Sequence, residues 1–389
     1  MLLYDILRYS HGIFFVGLQT ALMFGFFLEW IRDRRAVKLS EKTMTDNTPK
    51  VSVIIPIHNE SKRMEGLLRS LLLQDYPAEI IFVDDRCDDT SPQMLQQFLV
   101  DTRTKGINDC RIITLTENPG PNHKQYALGR GIAESSGEFL LFTDGDCEVS
   151  PGWIRYMTKR MSDEKVGAAI GPVFKKKPGK GFFFLYQCYD HQIRYNYLAG
   201  AIGLGAAGGG FGNNLIIRRK ALDLAGGYDA VPPSPTEDAA LISQIRSQGK
   251  YCVRAVSLPD AAVETVAEYS WKALISQTLR WNNGGLFSPD PVTRFNYNLL
   301  MLLITTGVLA IPLLPFIPGL WPLSLGIYIV MIENTIAAFG LFRLKLPKGG
   351  LATGFGYFLA MLFTPIYFAL MTLMGYCRIK IKWKEEPVL

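Results

Sequence analysis

Between Val51 and Thr143 four short apolar runs, at 51–57, 80–84, 111–115 and 139–143, alternate with the amphipathic stretches 64–74, 91–102 and 124–134. Short strands separated by helices of this length need parallel crossovers, so the segment predicts an α/β fold with a sheet covered on both faces. In such sheets ligands sit beyond the carboxyl ends of the strands. Three of the runs end in polar residues: His58-Asn59-Glu60, Asp84-Asp85, and Asp144-Gly145-Asp146. The repetition predicts one shared crevice. Two carboxylates a single residue apart are hard to bury unpaired, and at a strand mouth they suit a hard divalent ion that carries phosphates.

Beyond Pro151 a helix is expected at 153–161 and a strand at 166–173, followed by Lys175, Lys176, Lys177 and Lys180. The aromatic-rich stretch 182–197 fits either a segment at the membrane interface or core packing. His191 within it reads as a hydrogen-bonded structural residue. Residues 203–212 contain G-L-G-A-A-G, but a strand-like 215–218 follows where the dinucleotide fingerprint must open a helix, so that fingerprint is rejected. A glycine loop that lets backbone approach a ligand, or a merely mobile loop, accounts for it.

A helix at 219–226, the turn Gly226-Gly227-Tyr228-Asp229 and Pro232, Pro233 and Pro235 lead to Thr236-Glu237-Asp238, which opens a helix to about 248. Thr236 is expected as the N-cap, and acids favour a first turn. Capping does not, however, require two adjacent acids after so rigid a loop. A strand is expected at 251–256 and a helix at 270–281, on which Gln277, Arg280 and Trp281 share one face.

Residues 12–31 are nearly continuously apolar and long enough to cross a bilayer. With no basic leader and no small-residue cleavage site they read as an anchor. Arg32, Arg34, Arg35 and Lys38 follow it, against Arg8 and His11 before it, which places the residues after Ile31 in the cytoplasm. Residues 1–35 read as the anchor, 36–50 as a linker, 51–290 as a cytoplasmic domain and 291–389 as membrane helices with a basic tail. Within the last part 299–317, 320–342 and 351–376 are each long enough to span. The turn Pro318-Gly319 returns Arg343, Lys345 and Lys348 to the cytoplasm. A third crossing would put Arg378, Lys380, Lys382 and Lys384 outside, so either 351–376 is re-entrant at Thr364-Pro365 or the charge rule is outweighed. Glu333-Asn334 inside a span fits an interhelical hydrogen bond or a lipid contact.

The composition fits this division: 48% hydrophobic residues combine an oily part with a soluble one, and a net charge of +6 does not argue for nucleic acid. Six cysteines without a C-x-x-C pair argue against a zinc site or a disulfide framework.

Taken together, V-S-V-I-I-P-I-H-N-E at 51–60, F-V-D-D at 82–85, T-D-G-D at 143–146, T-E-D at 236–238 and Q-T-L-R-W at 277–281 resemble the family 2 glycosyltransferases. The layout is most similar to ceramide glucosyltransferase-like lipid glycosyltransferases. The resemblance implies a GT-A domain, with a Rossmann-like mixed sheet, and α-helical transmembrane segments. It further implies that Asp146 ligates Mg²⁺ or Mn²⁺ with Asp144 near the nucleotide sugar. By the same resemblance Pro56, Glu60, Asp84, Asp85 and Lys124 hold the nucleotide, and Asp238, beside Glu237, is the general base. Arg280 and Trp281, with Gln277 in their motif, are then expected to hold the diphosphate and wall the acceptor site. The partners implied are a UDP-sugar donor, a lipid acceptor and the membrane, in a multi-pass protein. Two other readings stay open: a processive polysaccharide synthase, since Q-x-x-R-W occurs there too, and a non-catalytic nucleotide-sugar-binding membrane subunit.

Overall fold

β-Branched and aromatic side chains form the expected strands as Val51–Ile57 (β1), Glu79–Asp85 (β2), Cys110–Leu115 (β3) and Phe139–Phe142 (β4). The computed structural model describes residues 2–43, 48–104, 109–176, 179, 181–206, 209–234, 236–337, 351–378, 382–383 and 386–387. Lys177, Lys180, Pro235, Phe342, Arg343, Lys345, Lys348, Lys380 and Lys384 therefore lie outside the described residues, as do the side chains of Lys38 and Lys382.

The crossovers carry Glu65–Leu71 (α2), Ser91–Thr104 (α3) and His123–Glu134 (α4). β1 pairs in parallel with both β2 and β4, and β2 with β3. Val53, Ile55, Phe82 and Leu141 pack with Trp153 and Met157, and Ile81 and Val83 with Ala127, so the sheet is buried on both faces. That double burial explains the continuous apolar runs, which an open-faced sheet would replace by alternation.

The following elements are Cys147–Val149 (β5), Trp153–Arg160 (α5), Val166–Ile170 (β6) and Val173–Lys176 (β7). After α6 come Leu215–Arg218 (β8), Arg219–Leu224 (α7), Glu237–Ser247 (α8), Cys252–Ala255 (β9) and Val263–Val266 (β10). The seven-stranded sheet runs β3-β2-β1-β4-β8-β6-β9, with β8 antiparallel to both neighbours, and β5-β10-β7 form a second sheet. The expected single strand at 166–173 is in fact two strands in two sheets. Pro172 has no N–H for a ladder, and its carbonyl instead accepts from Val263 N and from Asn214 Nδ2.

The chain divides into two interleaved compact units, Leu28–Lys176 with Ala207–Val266, and Met1–Phe27 with Lys177–Ala206 and Ala267–Val388. The stretch 51–290, read from sequence as one domain, is thus shared between them. The helical unit contains Phe182–Gly203 (α6), Trp271–Leu286 (α9), Pro291–Ala310 (α10), Trp321–Ile336 (α11) and Leu351–Tyr376 (α12). Tyr186 and Tyr189 of α6 pack with Leu279, Met301, Met331 and Tyr367 and are core, while Phe182, Phe183 and Phe184 at its start are half-buried.

The first helix, Leu2–Thr43 (α1), runs through residues 36–43, where a linker was expected. Its earlier part packs on α6 through glycine: a Cβ on Gly200 would meet Leu22 O at 2.4 Å, and one on Gly203 would meet the Gly25 carbonyl closer still. Gly203, read from sequence as loop, is helical. From Leu28 onward α1 belongs to the sheet unit. There Glu29 accepts from Ala255 N (2.9 Å) and pairs with Arg160 (3.1 Å), and Asp33 accepts from Ser257 N (2.9 Å).

Four helices are long and apolar enough to cross a membrane, over Ile6–Ala36, Pro291–Leu313, Pro318–Ile336 and Thr353–Tyr376. α12 is unbroken at Pro365, contrary to the break read there from sequence, and Thr364 Oγ1 donates back to Ala360 O at 2.7 Å. Asn334 donates to Val330 O and its carbonyl accepts from Asn196 Nδ2, the interhelical hydrogen bond of the two readings; Glu333 accepts from Thr20.

Candidate active site

At the carboxyl end of β1 the chain turns at Asn59, whose φ of 54° is left-handed, and at the end of β2 Arg86 does the same (φ 54°). Two non-glycine residues held in this sparsely allowed region at adjacent strand ends mark a constrained locus. Glu60, buried, donates its N–H to Ser91 Oγ (3.0 Å) and accepts from Arg63 Nε (3.0 Å). Asp84 Oδ1 accepts from Cys87 N (3.1 Å). Asp85 accepts from Arg86 Nε (2.8 Å) and from Asn118 Nδ2 (2.9 Å), while its carbonyl meets His58 Nδ1 at 2.7 Å. Pro56 lies in β1 opposite Val83 of β2.

The Asp144-Gly145-Asp146 turn follows β4 directly. A Cβ at Gly145 would come within 2.8 Å of Ile57 Cδ1 and 2.9 Å of Glu60 Cγ, so glycine is what lets this turn lie against the end of β1. Asp146 faces Arg63 at 3.6 Å. Asp144 accepts from Lys124 Nζ at 2.8 Å, and the same ammonium reaches Glu237 Oε1 at 3.2 Å. Asn122 caps α4 by accepting from Gln125 N (3.1 Å) and donates its Nδ2 to Ser234 O (2.7 Å), which ties the start of α4 to the loop preceding α8. The lysine in the first turn of α4 is thereby brought to the two acids that open α8.

Thr236 occupies the N-cap position of α8, but its side chain makes no capping bond. Asp238 uses its carboxylate instead, accepting from Ala239 N (2.8 Å) and from Gly212 N (2.6 Å). A Cβ at 212 would stand 3.2 Å from Asp238 Oδ2, tight enough that the carboxylate would have to shift by a few tenths of an ångström. A small recess lined by Leu128, Phe142, Leu215, Tyr228 and Leu241 opens beside Glu237 and Asp238. Burial, and then the neighbouring Glu237 carboxylate, push the Asp238 carboxyl up to about 6, against the pull of Lys124 and the two N–H donors. Burial alone would depress the Lys124 ammonium, but Asp144, then Glu237 and Asp238, hold it above its ordinary range.

Glu60, Lys124, Asp144, Asp146, Glu237 and Asp238 are thus linked through direct ion pairs, shared neighbours or adjacency in sequence. Asp84 and Asp85 end the neighbouring strand β2. Two participants escaped the sequence reading, Arg63 and Asn118, whereas Gly212 ends the glycine stretch 203–212. Arg63 stands three residues after Glu60 on the turn into α2, a spacing that would have placed it beside that acid. Gln277, Arg280 and Trp281 belong to α9 in the helical unit.

Among the described residues no three His, Cys, Asp or Glu side chains cluster to hold a metal by themselves. Asp144 and Asp146 are both partly exposed, and two such carboxylates fit a hard cation, Mg²⁺ or Mn²⁺, that takes other oxygens for the rest of its shell. The Lys124 ammonium and the Arg63 guanidinium face these two carboxylates.

A mixed sheet of this order, with paired acids at its carboxyl edge, is the GT-A fold of nucleotide-sugar transferases. Glycosyl transferase family 2 matches residues 52–224 and Glycosyl transferase family group 2 matches residues 139–376, and the chain belongs to this family. It is 27% identical to the probable glycosyltransferase YdaM of Bacillus subtilis over 68% of its own length and 62% of that protein's. It is 24% identical to the beta-monoglucosyldiacylglycerol synthase of Trichormus variabilis over 78% of its own length and 65% of that protein's. With the ceramide glucosyltransferase of Gibberella zeae it shares 27% identity over 39% of this chain and 29% of that one. The chain therefore spans less than two thirds of the length of these curated relatives.

Proposed function

We propose that the protein transfers one sugar, glucose from UDP-glucose, to a hydroxyl group of a membrane lipid at the cytoplasmic face, with inversion at the anomeric carbon. The observation that carries this reading is the chain of contacts from Asp144 through Lys124 to Glu237 and Asp238. It ties a donor-side carboxylate to a candidate base across nearly a hundred residues of sequence. The lipid acceptor is suggested by the four membrane-length helices and by relatives named for glucosylation of diacylglycerol and ceramide. The cytoplasmic face is supported by Arg32, Arg34 and Arg35 after the first span.

In this mechanism the Asp238 carboxylate takes the proton of the acceptor hydroxyl as that oxygen attacks the anomeric carbon from the face opposite the diphosphate. The bond from that carbon to the diphosphate breaks, and its electron pair leaves with the nucleoside diphosphate. One displacement inverts the centre and needs no covalent intermediate. The N–H groups of Gly212 and Ala239 orient the base, and Lys124 keeps Asp144 and Glu237 from repelling each other. Asp146, with Asp144, would hold Mg²⁺ or Mn²⁺, which supplies Lewis-acid neutralisation of the diphosphate when bound. Glu60, Asp84 and Asp85, with Pro56, are assigned to the nucleotide. Gln277, Arg280 and Trp281 take their roles from the Q-x-x-R-W motif: the guanidinium for the diphosphate, because its donors engage two oxygens at once, and the indole for the acceptor.

Incubating purified protein with labelled UDP-sugars, Mg²⁺ or Mn²⁺ and a total lipid extract, then analysing the labelled lipid by mass, tests the proposal. A lipid carrying one hexose is expected. A ladder of sugar lengths would point to a processive synthase, and absence of UDP release with lipid and metal both present would leave only a binding role. Asp146→Asn is expected to weaken metal-dependent UDP binding about 10-fold or more, read by titration calorimetry with and without the ion.

A further inference from the structure

α6 buries a polar stripe that the mechanism above does not use. Gln187, Asp190, His191 and Arg194 fall at i, i+3, i+4 and i+7, one helical face. Gln187, Asp190 and His191 are only 1%, 2% and 3% exposed. Burying polar groups in so aromatic an interior is costly unless hydrogen bonds and ion pairs offset it. The contacts made by Gln187 and Arg194 lead to the Q-x-x-R-W helix.

Gln187 and the backbone of Glu268 exchange two hydrogen bonds: Nε2 donates to the carbonyl (3.0 Å) and the Glu268 N–H donates to Oε1 (2.7 Å). The Glu268 carboxylate then accepts from Gln277 Nε2 at 3.0 Å, so the first residue of the motif is anchored to α6 through one intermediary. One helical turn later, Trp281 meets the same stripe. The His191 ring lies 5.7 Å from the indole, and Arg194 Cζ lies 5.3 Å from it. The same guanidinium stands 4.8 Å from the ring of Phe368 on α12, so it is held between two aromatic faces. Its position is fixed from its own helix, where Nε donates to Asp190 Oδ2 at 2.9 Å in the favourable acid-before-base order. Between these two points Tyr367 of α12 donates to Thr278 Oγ1 at 3.0 Å.

We propose that Arg194, locked by Asp190, is a positioning residue that sets the indole plane of Trp281 and thereby the acceptor step of the transfer. This rests on the reading above, in which Trp281 serves the acceptor. A cation between two rings restricts rotation of the indole because its attraction falls away when either ring turns edge-on. Arginine suits the place better than lysine, since a planar guanidinium can stack while one of its N–H groups stays on a carboxylate.

The test is a double-mutant cycle of Arg194→Gln and Trp281→Phe, with Arg194→Lys and Asp190→Asn as milder variants, in purified full-length protein that elutes as a single species. Arg194→Gln is expected to lower kcat/KM for the lipid acceptor about 10-fold while the UDP Kd stays within 2-fold, and Arg194→Lys to recover part of the loss. In the Trp281→Phe background the Arg194→Gln change should cost less than 2-fold, because the residue it acts through has already been altered. Losses that multiply independently would overturn the positioning role and leave the motif assignment intact. Trp281→Phe and Trp281→Ala that both keep the acceptor kinetics of the parent would overturn the motif assignment and this inference together. Should Arg194→Gln fail to fold, Arg194→Lys and Asp190→Asn run through the same cycle decide the matter.

Discussion

Asp238 is the residue on which the chemistry of the proposed reaction depends most. A base must be ionised to accept a proton, and this carboxyl is pushed up to about 6. Transfer should therefore rise with pH through an acid limb centred near 6, about two units above an ordinary aspartate. Asp238→Asn should abolish transfer while UDP binding persists; a pH profile of lipid glycosylation beside a UDP titration checks both. The stability sign is opposite. The native state binds the Asp238 proton more tightly than the unfolded chain does, so ionising it costs stability as pH rises from about 4 to about 6, and the cost is complete above that. Asp238→Asn removes this pH-dependent cost, although its single amide oxygen can accept from only one of Gly212 N and Ala239 N. The fall in melting temperature in detergent between about pH 4 and about pH 6 should therefore be shallower in Asp238→Asn than in the parent.

What was legible at this scale follows from locality. Asp144 and Asp146 stand out because two acids end an apolar strand one residue apart, and Glu237 and Asp238 because they follow a proline-rich loop. Arg63 was legible only as a neighbour of Glu60 three residues before it; its approach to Asp146, like that of Asn118 to Asp85, appears only when separate strands are laid side by side.

Among elements, the later part of α1 carries the least expected packing. Sequence alone reads it as the end of a membrane anchor giving way to a linker, since nothing local shows that Glu29 and Asp33 turn toward a sheet strand. Glu29 is fully buried against Arg160, and its Oε2 also receives the Ala255 N–H. Removing Glu29 leaves buried Arg160 with Asp33 alone, at 3.7 Å, and leaves the Ala255 N–H without this acceptor, at a cost of about 3 kcal/mol. Glu29→Ala should therefore lower the melting temperature markedly and speed amide exchange along β9. Glu29→Gln, which can still accept from Ala255, should fall between the two. The strand at 166–173 was misread for a related reason: every residue in it has strand character, and the proline that divides it acts through which sheet each half can join. α6 was half legible. Its aromatics announced a special segment, but its burial depends on helices more than eighty residues away.

At the scale of the whole molecule, the apolar segments were legible because crossing a bilayer is a matter of length and composition. The interleaving of the two units was not, because it depends on long-range packing of α6 and α9. The last apolar segment is where an unbroken helix bears on two sequence readings. A re-entrant segment needs a break at membrane depth, and Thr364-Pro365 offered one. α12 instead runs unbroken for 26 residues, about 39 Å at 1.5 Å per residue, more than the roughly 30 Å of hydrocarbon. Its Pro365 is accommodated while Thr364 bonds back to Ala360 within the helix. We therefore expect four crossings, which would put the end of α12 on the side opposite to the residues after Ile31 and make Arg378 an exception to the charge rule. Cys377, exposed at that end, reports the side directly. In a variant retaining only this cysteine, a membrane-impermeant maleimide should label intact cells. In a variant retaining only Cys252, of the sheet unit, labelling should require permeabilised cells. Labelling of Cys377 only after permeabilisation would show that α12 enters and leaves on one face despite its length.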